Sequence, residues 1–543
     1  MSLPALRECV CRVSRLCAGV LVGLMVVWSA TAHALTPQEA LAFAEGDTTE
    51  RIEVMERLLA SGDERAEALI RAMAREAVQV RGEQVLIVDG EDAIDAVTGE
   101  PVSADGASGA MINNRFRGAL QRALAGLDLL GDDVSRQREA ALRLRTSLFN
   151  SPDESQLALV DNALSPQHAA QLDPRARSTL EDARAALWLT SHDPAQRLAA
   201  AEALADVGQT IVRSLLARQL EAETDAAVKA ALTKSLARVD SALVRSDVAG
   251  QVFTGISLGS ILLLAALGLA ITYGLMGVIN MAHGELIMIG AYATYVVQGL
   301  FRQYLPGAFE WYLLAALPVA FLASALVGAV MERGVIRWLY GRPLETLLAT
   351  WGLSLVLMQG VRSLFGAQNV AVENPGWMSG GVVVMGNLTL PWNRVIIIAF
   401  AVVVLVSVAL LISRTRLGLF VRGVTQNRPI ASCMGVNTAR IDTYAFALGS
   451  GIAGLAGAAL SQVGNVGPDL GQSYIIDSFM VVVLGGVGQL AGTVYAALGL
   501  GLLNKFIEGW AGAVLAKIAV LVFIIVFIQK RPQGIFALKG RQA

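Results

Sequence analysis

At Gly250 the chain changes the solvent it is written for. Residues 35–250 carry 35 acidic and 23 basic side chains, whereas the longer stretch 251–543 carries only 9 acidic and 17 basic ones and is almost wholly apolar as far as Phe527. A segment so poor in charge is suited to hydrocarbon. There every backbone polar group must be paired internally, and helices are one of the two structures able to span. Across the whole chain 54% of residues are hydrophobic and 16% charged, against roughly 25% charged in an ordinary soluble domain. The net charge of −2 therefore averages an acidic water-facing part with a cationic membrane part.

The first residues place the acidic part. Arg7, Arg12 and Arg15 precede an apolar run from Leu16 to Ala30, and Ala32-His33-Ala34 is a small-x-small cleavage site. This pattern predicts a signal peptide over 1–34, with an uncleaved anchor as the alternative. Residues 35–248 then form an exported domain and 249–543 a transmembrane domain. An exported acidic domain excludes nucleic acid as a partner. Cys9, Cys11 and Cys17 fall in the signal, leaving Cys433 without a partner for a disulfide. The four histidines show no ligand spacing, and no Gly-Lys-Ser/Thr occurs anywhere. Hence no metal, no bound cofactor and no catalytic residue are expected, and the chain cannot cradle ATP itself.

Residues 36–80 and 112–245 carry helical periodicity. Asp193-Pro194 is an N-cap followed by a first-turn proline. Val228, Leu232 and Val239 then continue an apolar face, and 190–240 resembles a HEAT-type helical pair. Between the helical blocks, Val85–Val88 and Ile94–Val97 read as a small hairpin with Asp89-Gly90 and Thr98-Gly99 turns. The acidic excess reads as a solvated face. The fold class is all-α: a polytopic helical membrane core behind a mainly helical exported domain with one β-hairpin.

Apolar stretches long enough to cross a bilayer lie at about 252–278, 312–332, 344–364, 393–413, 440–462 and 511–529. Shorter or glycine-interrupted ones lie at 284–301 and 476–504. Cations cluster at 333–342, 414–440 and 530–541, which the positive-inside rule assigns to the cytoplasm. An exported N-terminus and a cytoplasmic C-terminus need an odd number of crossings. Splitting 476–504 at Gly485-Gly486-Val487-Gly488 turns eight segments into nine. A dinucleotide-binding reading of these glycines fails for want of a strand-turn-helix context.

The connection 414–440 is too apolar for a solvated linker and too charged for lipid. An amphipathic helix ending at Gly435 and lying on the membrane face fits both facts. Within or beside the apolar segments, Asn280, His283, Glu285, Gln359, Gln462 and Asn465 are candidate pathway residues, because polar groups in a membrane are functional hypotheses by default. His283 and Glu285 flank Gly284 at an expected helix break, where satisfying freed backbone groups is an equal reading. Asp469 and Asp477 belong to an outer mouth.

Residues 268–285 (GLAITYGLMGVINMAHGE) resemble the first membrane block of branched-chain amino-acid-type ABC transporter permeases. Residues 347–355 (LLATWGLSL), the 415–437 loop and 483–488 (VLGGVG) resemble further blocks in the family's order. The resemblance covers about 252–540. It implies that 415–437 docks on an ATPase through a Glu-Ala-Ala-x-x-x-Gly core. Ala431 and Gly435 match that core, while Pro429 and Ile430 replace its first two positions. Arg416, Gly418, Arg422, Asn427 and Arg428 complete the implied coupling loop.

The exported extension, together with 464–479 (GNVGPDLGQSYIIDSF), resembles the urea-transporting branch of the family. That resemblance implies passage of urea across a bacterial inner membrane. It also implies a second, different permease subunit, two ATP-binding subunits that carry the ATP, and a periplasmic substrate-binding protein. A branched-chain amino-acid or short-amide permease is the nearest alternative. A receptor is a different class, but it would need a larger cytoplasmic output domain than the connections here provide.

Overall fold

The computed structural model describes residues 35–536, apart from Gly62, Glu91, Asp132 and 153–155. The expected signal peptide, Lys539 and Arg541 lie outside the described residues. The chain divides into two compact units, 1–240 and 241–543.

In the first unit, helices α1 (Pro37–Glu45), α2 (Thr48–Ser61) and α3 (Glu64–Ala74) lead into a sheet. Thr36 and Glu39 form a reciprocal capping box that starts α1. Strands β1 (Val78–Arg81), β2 (Gln84–Asp89), β3 (Asp92–Asp95) and β4 (Ser108–Gly109) are ordered β3-β2-β1-β4. The expected hairpin is present as β2 against β3, pairing Ile87 with Ile94. The helical reading of 36–80 overran it, because Val78 and Val80 alternate buried with half-buried neighbours on β1, a period of two and not of 3.6. Helices α4 (Asn114–Leu130), α5 (Val134–Asn150), α6 (Leu157–Ala163), α7 (Pro174–Trp188), α8 (Pro194–Leu204) and α9 (Thr210–Ala222) follow. Asp193 caps α8 as its sequence predicts, its carboxylate accepting the Ala195 N–H.

Helix α10 (Ala226–Met276) contains the boundary between the units. The second unit continues with α11 (His283–Tyr304), α12 (Tyr312–Gly334), α13 (Pro343–Phe365), a hairpin of β5 (Gly381–Met385) and β6 (Leu388–Pro391), and α14 (Trp392–Arg414). Two short helices, α15 (Arg416–Gln426) and α16 (Arg428–Cys433), precede α17 (Thr438–Ser461), α18 (Leu470–Gly485), α19 (Leu490–Ala511) and α20 (Ala513–Lys530). The stretch 476–504 is indeed broken, between Gly485 and Leu490, with Gly486 and Gly488 both at positive φ. The β5–β6 hairpin within 365–392 has no counterpart in the sequence reading.

The centre of this bundle is α17, sixteen of whose residues are buried. Its glycines bring backbones into contact, as small residues do in membrane helices. A Cβ on Gly457 would strike the Ile287 carbonyl of α11 and sit 2.7 Å from the Ala291 nitrogen. A Cβ on Gly454 would strike α12 at Ala320 and Ser324. Helices α11, α12 and α17 therefore form a tight inner trio.

Candidate functional site

The first site is the interruption between α10 and α11. Met276 ends α10, Gly277 turns at φ +66°, and 277–282 is irregular. His283, the first residue of α11, does not sit at the end of α10. Its Nε2 donates to the Ala265 carbonyl at 2.9 Å, and its ring meets Gly268. Those positions lie eight to eleven residues before Met276, roughly 12–17 Å back along the helix. So α11 begins two to three turns inside the bundle, and 277–282 must return alongside the last turns of α10. Irregular backbone at such depth is tolerated only where protein shields it or it lines a pathway.

Side chains from neighbouring helices satisfy part of this break. Asn280 Oδ1 accepts the Ala282 N–H at 3.1 Å. The Met281 N–H goes to Thr350 Oγ1 of α13 at 3.2 Å. One turn along α13, Ser354 Oγ donates to Glu285 Oε1 at 2.7 Å. Ser324 of α12 donates to the Leu286 carbonyl at 2.9 Å. The start of α18 joins the same place, since a Cβ on Gly284 would sit 2.5 Å from the Gly471 carbonyl oxygen. Two helix N-termini, each bearing partial positive charge, thus meet beside Glu285. Asp469, which precedes α18, interacts electrostatically with Glu285 and Tyr292.

Of the other sequence candidates, Gln462 lies at the far end of α17. It accepts from the Tyr312 hydroxyl at 3.3 Å, and its carbonyl accepts from Asn393 at 3.1 Å. This is a clamp, remote from the break along the helix. Gln359, Asn465 and Asp469 are exposed, and Asp477 is half-buried opposite Lys517. The structure therefore brings Asn280 and Glu285 together, turns His283 toward α10, and leaves Gln359 and Asn465 at the surface. Thr350 and Ser354 lie in the 347–355 block but are not among the sequence's pathway candidates. Their signal was available: Thr346, Thr350 and Ser354 recur every four residues and form the buried face of α13.

The second site is the connection 415–437. It is helical, but it forms two helices where one was expected. Thr415 caps α15, whose Gly418, Val421 and Val424 are buried at a spacing of three. Asn427 then interrupts the helix and caps α16, its side chain accepting the Ile430 N–H at 3.1 Å with Pro429 in the first turn. Gly435 at φ +84° ends the segment. Ala431 is buried, whereas Leu419, Ile430 and Met434 are 60–80% exposed beside exposed Arg416 and Arg422.

A polar network fastens α16 to the bundle. Arg428 pairs with Asp442 of α17 and stacks 5.0 Å over the Tyr340 ring. The Tyr340 hydroxyl donates to Glu332 Oε1 at 3.2 Å. Glu332, fully buried at the end of α12, also takes Arg337 at 3.1 Å and the Thr443 hydroxyl at 2.7 Å. A buried carboxylate survives only with such pairing. The result is a continuous set of contacts from α16 to the ends of α12 and α17.

Eight helices of the described chain are long and apolar enough to cross a membrane, and α18 is a shorter apolar ninth. With its interrupted helix and paired surface helices, this is a multi-pass helical membrane protein. Residues 251–529 match the family described as "Branched-chain amino acid transport system / permease component", and the chain belongs to it. It is 28% identical to the high-affinity branched-chain amino acid transport system permease protein BraD of Pseudomonas aeruginosa, over 52% of this chain and 94% of that one. It is 28% identical to LivH of Escherichia coli (strain K12), with the same coverage. It is 30% identical to the autoinducer 2 import system permease protein LsrD of Yersinia enterocolitica, over 36% of this chain and 59% of that one. No solved structure matches.

Proposed function

We propose that the chain is the permease subunit of an ATP-driven importer and that it passes urea across a bacterial inner membrane. Residues 35–248 face the periplasm after removal of a signal peptide, and the C-terminus is cytoplasmic. Transport needs a second permease subunit, two ATP-binding subunits and a periplasmic binding protein. ATP stays on the partners.

The observation that carries the transport reading is the α15–α16 pair. It offers apolar side chains and arginines to a partner while Arg428 ties it to α17 and, through Tyr340 and Glu332, to α12. Such an element can pass a push from a soluble motor into the bundle. For the substrate, the break at 277–285 is lined by neutral hydrogen-bonding groups and one carboxyl, which suits a small planar uncharged solute. The helical unit ahead of residue 251 lies beyond the family match and supports the urea branch. The names of the relatives favour branched-chain amino acids as the second reading. Uptake of labelled urea and leucine by nitrogen-starved cells, with and without the gene, separates them. Loss of leucine uptake with urea uptake intact would transfer the assignment to the amino-acid class.

A further inference from the structure

We infer that Asn280 and Glu285 form the recognition site for an amide-type solute, with Asn280 Nδ2 and Glu285 Oε2 holding opposite ends of its N–H and C=O groups. The inference rests on the urea reading above and adds the residues that recognise the substrate.

Both side chains are only 1% exposed, and both atoms lack a hydrogen-bond partner among the described residues. Everything else about these side chains is engaged: Asn280 Oδ1 holds the Ala282 N–H and Glu285 Oε1 holds Ser354. Each thus has one end fixed by the scaffold and one end left open. A buried polar group without a partner is costly, and more so away from water. Three such groups within six residues, Asn280 Nδ2, His283 Nδ1 and Glu285 Oε2, at a place where α11 restarts inside the bundle, call for a ligand.

Their positions are compatible with one small ligand. Thr350 and Ser354 are one turn apart on α13, about 6 Å, and they touch Met281 and Glu285 respectively. Thr350 thus holds the backbone on both sides of Asn280, through Ile279 and Met281, and Ser354 holds the Glu285 carboxyl one turn along the same helix. An amide nitrogen donates and a carboxyl oxygen accepts, which complements urea or a primary amide, since either presents N–H and C=O groups. The meeting N-termini of α11 and α18 add positive potential that favours the solute's carbonyl oxygen. His283 Nε2 is committed to the Ala265 carbonyl of α10, so its Nδ1 can only accept, and Asn280 is left as the donor of the three.

The test inverts hydrogen-bond sense without changing shape. Asn280→Asp replaces the open donor by an acceptor and keeps the oxygen that caps Ala282. Glu285→Gln replaces the open acceptor by a donor and keeps the oxygen that takes Ser354. The complete transporter carrying each variant is assayed for uptake of labelled urea, acetamide and leucine, with its amount in the membrane measured by immunoblot. Each single variant is expected to raise the KM for urea at least about tenfold, since a site built to hydrogen-bond its substrate discriminates strongly when one partner is wrong. The double variant restores one donor and one acceptor in reversed order. Urea, which carries both groups, should recover a measurable part of its uptake. Equal losses for acetamide mark a general amide site, and losses confined to urea mark a urea site.

Single variants with unchanged KM would overturn the inference. So would a double variant no better than the worse single one, which would reduce both residues to structural roles. A variant that fails to reach the membrane is replaced by Ser354→Ala, which frees Glu285 to rotate and should raise the urea KM in the same sense. An unaltered transporter that carries leucine and no urea or acetamide overturns the urea reading itself, and it does so in the wild type before any variant is examined.

Discussion

Replacing Asp442 by Ala should loosen α16 without unfolding the bundle. Helix α16 has six residues and one buried side chain, Ala431, so apolar burial holds it weakly, and an isolated helix this short does not persist in water. Its attachment rests on the Asn427 cap, worth about 1 kcal/mol, the Tyr340 stacking, worth about 0.5–1 kcal/mol, and the Arg428–Asp442 pair. Asp442 is 4% exposed and the Arg428 side chain 43%. The pair therefore falls between exposed ion pairs, at about 0–1 kcal/mol, and buried ones, whose breaking costs about 3–5 kcal/mol. Discounted for the wet arginine, a loss of about 2 kcal/mol is expected, or roughly 30-fold in local opening. Removing the aspartate is the milder half, because the freed arginine turns into water. Removing Arg428 instead leaves a buried carboxylate uncompensated and should cost more. Hydrogen exchange of the Ala431, Met434 and Gly435 amides, in the purified chain in nanodiscs, reads the opening directly. These amides bond within the segment, to Asn427, Ile430 and Ser432. Asp442→Asn should fall between wild type and Asp442→Ala, and Arg428→Lys near wild type. In the assembled transporter, uptake per ATP consumed should fall while hydrolysis continues. An exchange rate within about threefold of wild type in Asp442→Ala would refute the tether.

Other outcomes follow from the same structure. Gly457→Ala should separate α17 from α11, lowering thermal stability by about 1–3 kcal/mol and reducing uptake; a scanning calorimeter and a transport assay check both. In the first unit, Glu223 accepts both guanidinium arms of Arg197 at 2.8 Å, and the arginine holds its pKa at about 2. A depressed carboxylate stabilises the fold fully above its ordinary pKa of about 4.3 and loses that contribution as pH falls through the folded value. Limited proteolysis of the full chain should therefore show the unit loosening between about pH 4.5 and 2. Arg197→Met should flatten that dependence and destabilise the unit by about 3 kcal/mol at neutral pH. Cys433 is exposed, and with Cys9, Cys11 and Cys17 replaced by Ser it should react with an impermeant maleimide only from the cytoplasmic side. The purified chain alone should hydrolyse no ATP.

Much of this molecule is written in periodicity and composition. Asp193 and Pro194 announce α8 because capping is a local matter of a few hydrogen bonds. The glycines at 485–488 mark the α18–α19 break because positive φ is a property of single residues. The hairpin at 84–95 is legible for the same reason, while β1 was absorbed into a helix: four residues are too few to set a period against the helical stretch before them. The split of 415–437 at Asn427 was present in the letters as an N-cap followed by proline, but the amphipathic pattern runs through it and masks the stop.

The candidate sites divide in the same way. Composition alone establishes a charge-poor helical core, its approximate crossings and a polar interruption near Gly284, since transfer of side chains and backbone into hydrocarbon depends on each segment by itself. The tertiary structure decides how far inside the bundle α11 restarts, that His283 faces α10 while Glu285 faces Ser354, that Gln359 stays at the surface, and that Arg428 reaches Glu332 by way of Tyr340. The contacts of His283 and Glu285 join residues 18 and 69 positions apart, and no local pattern encodes which helix face meets which.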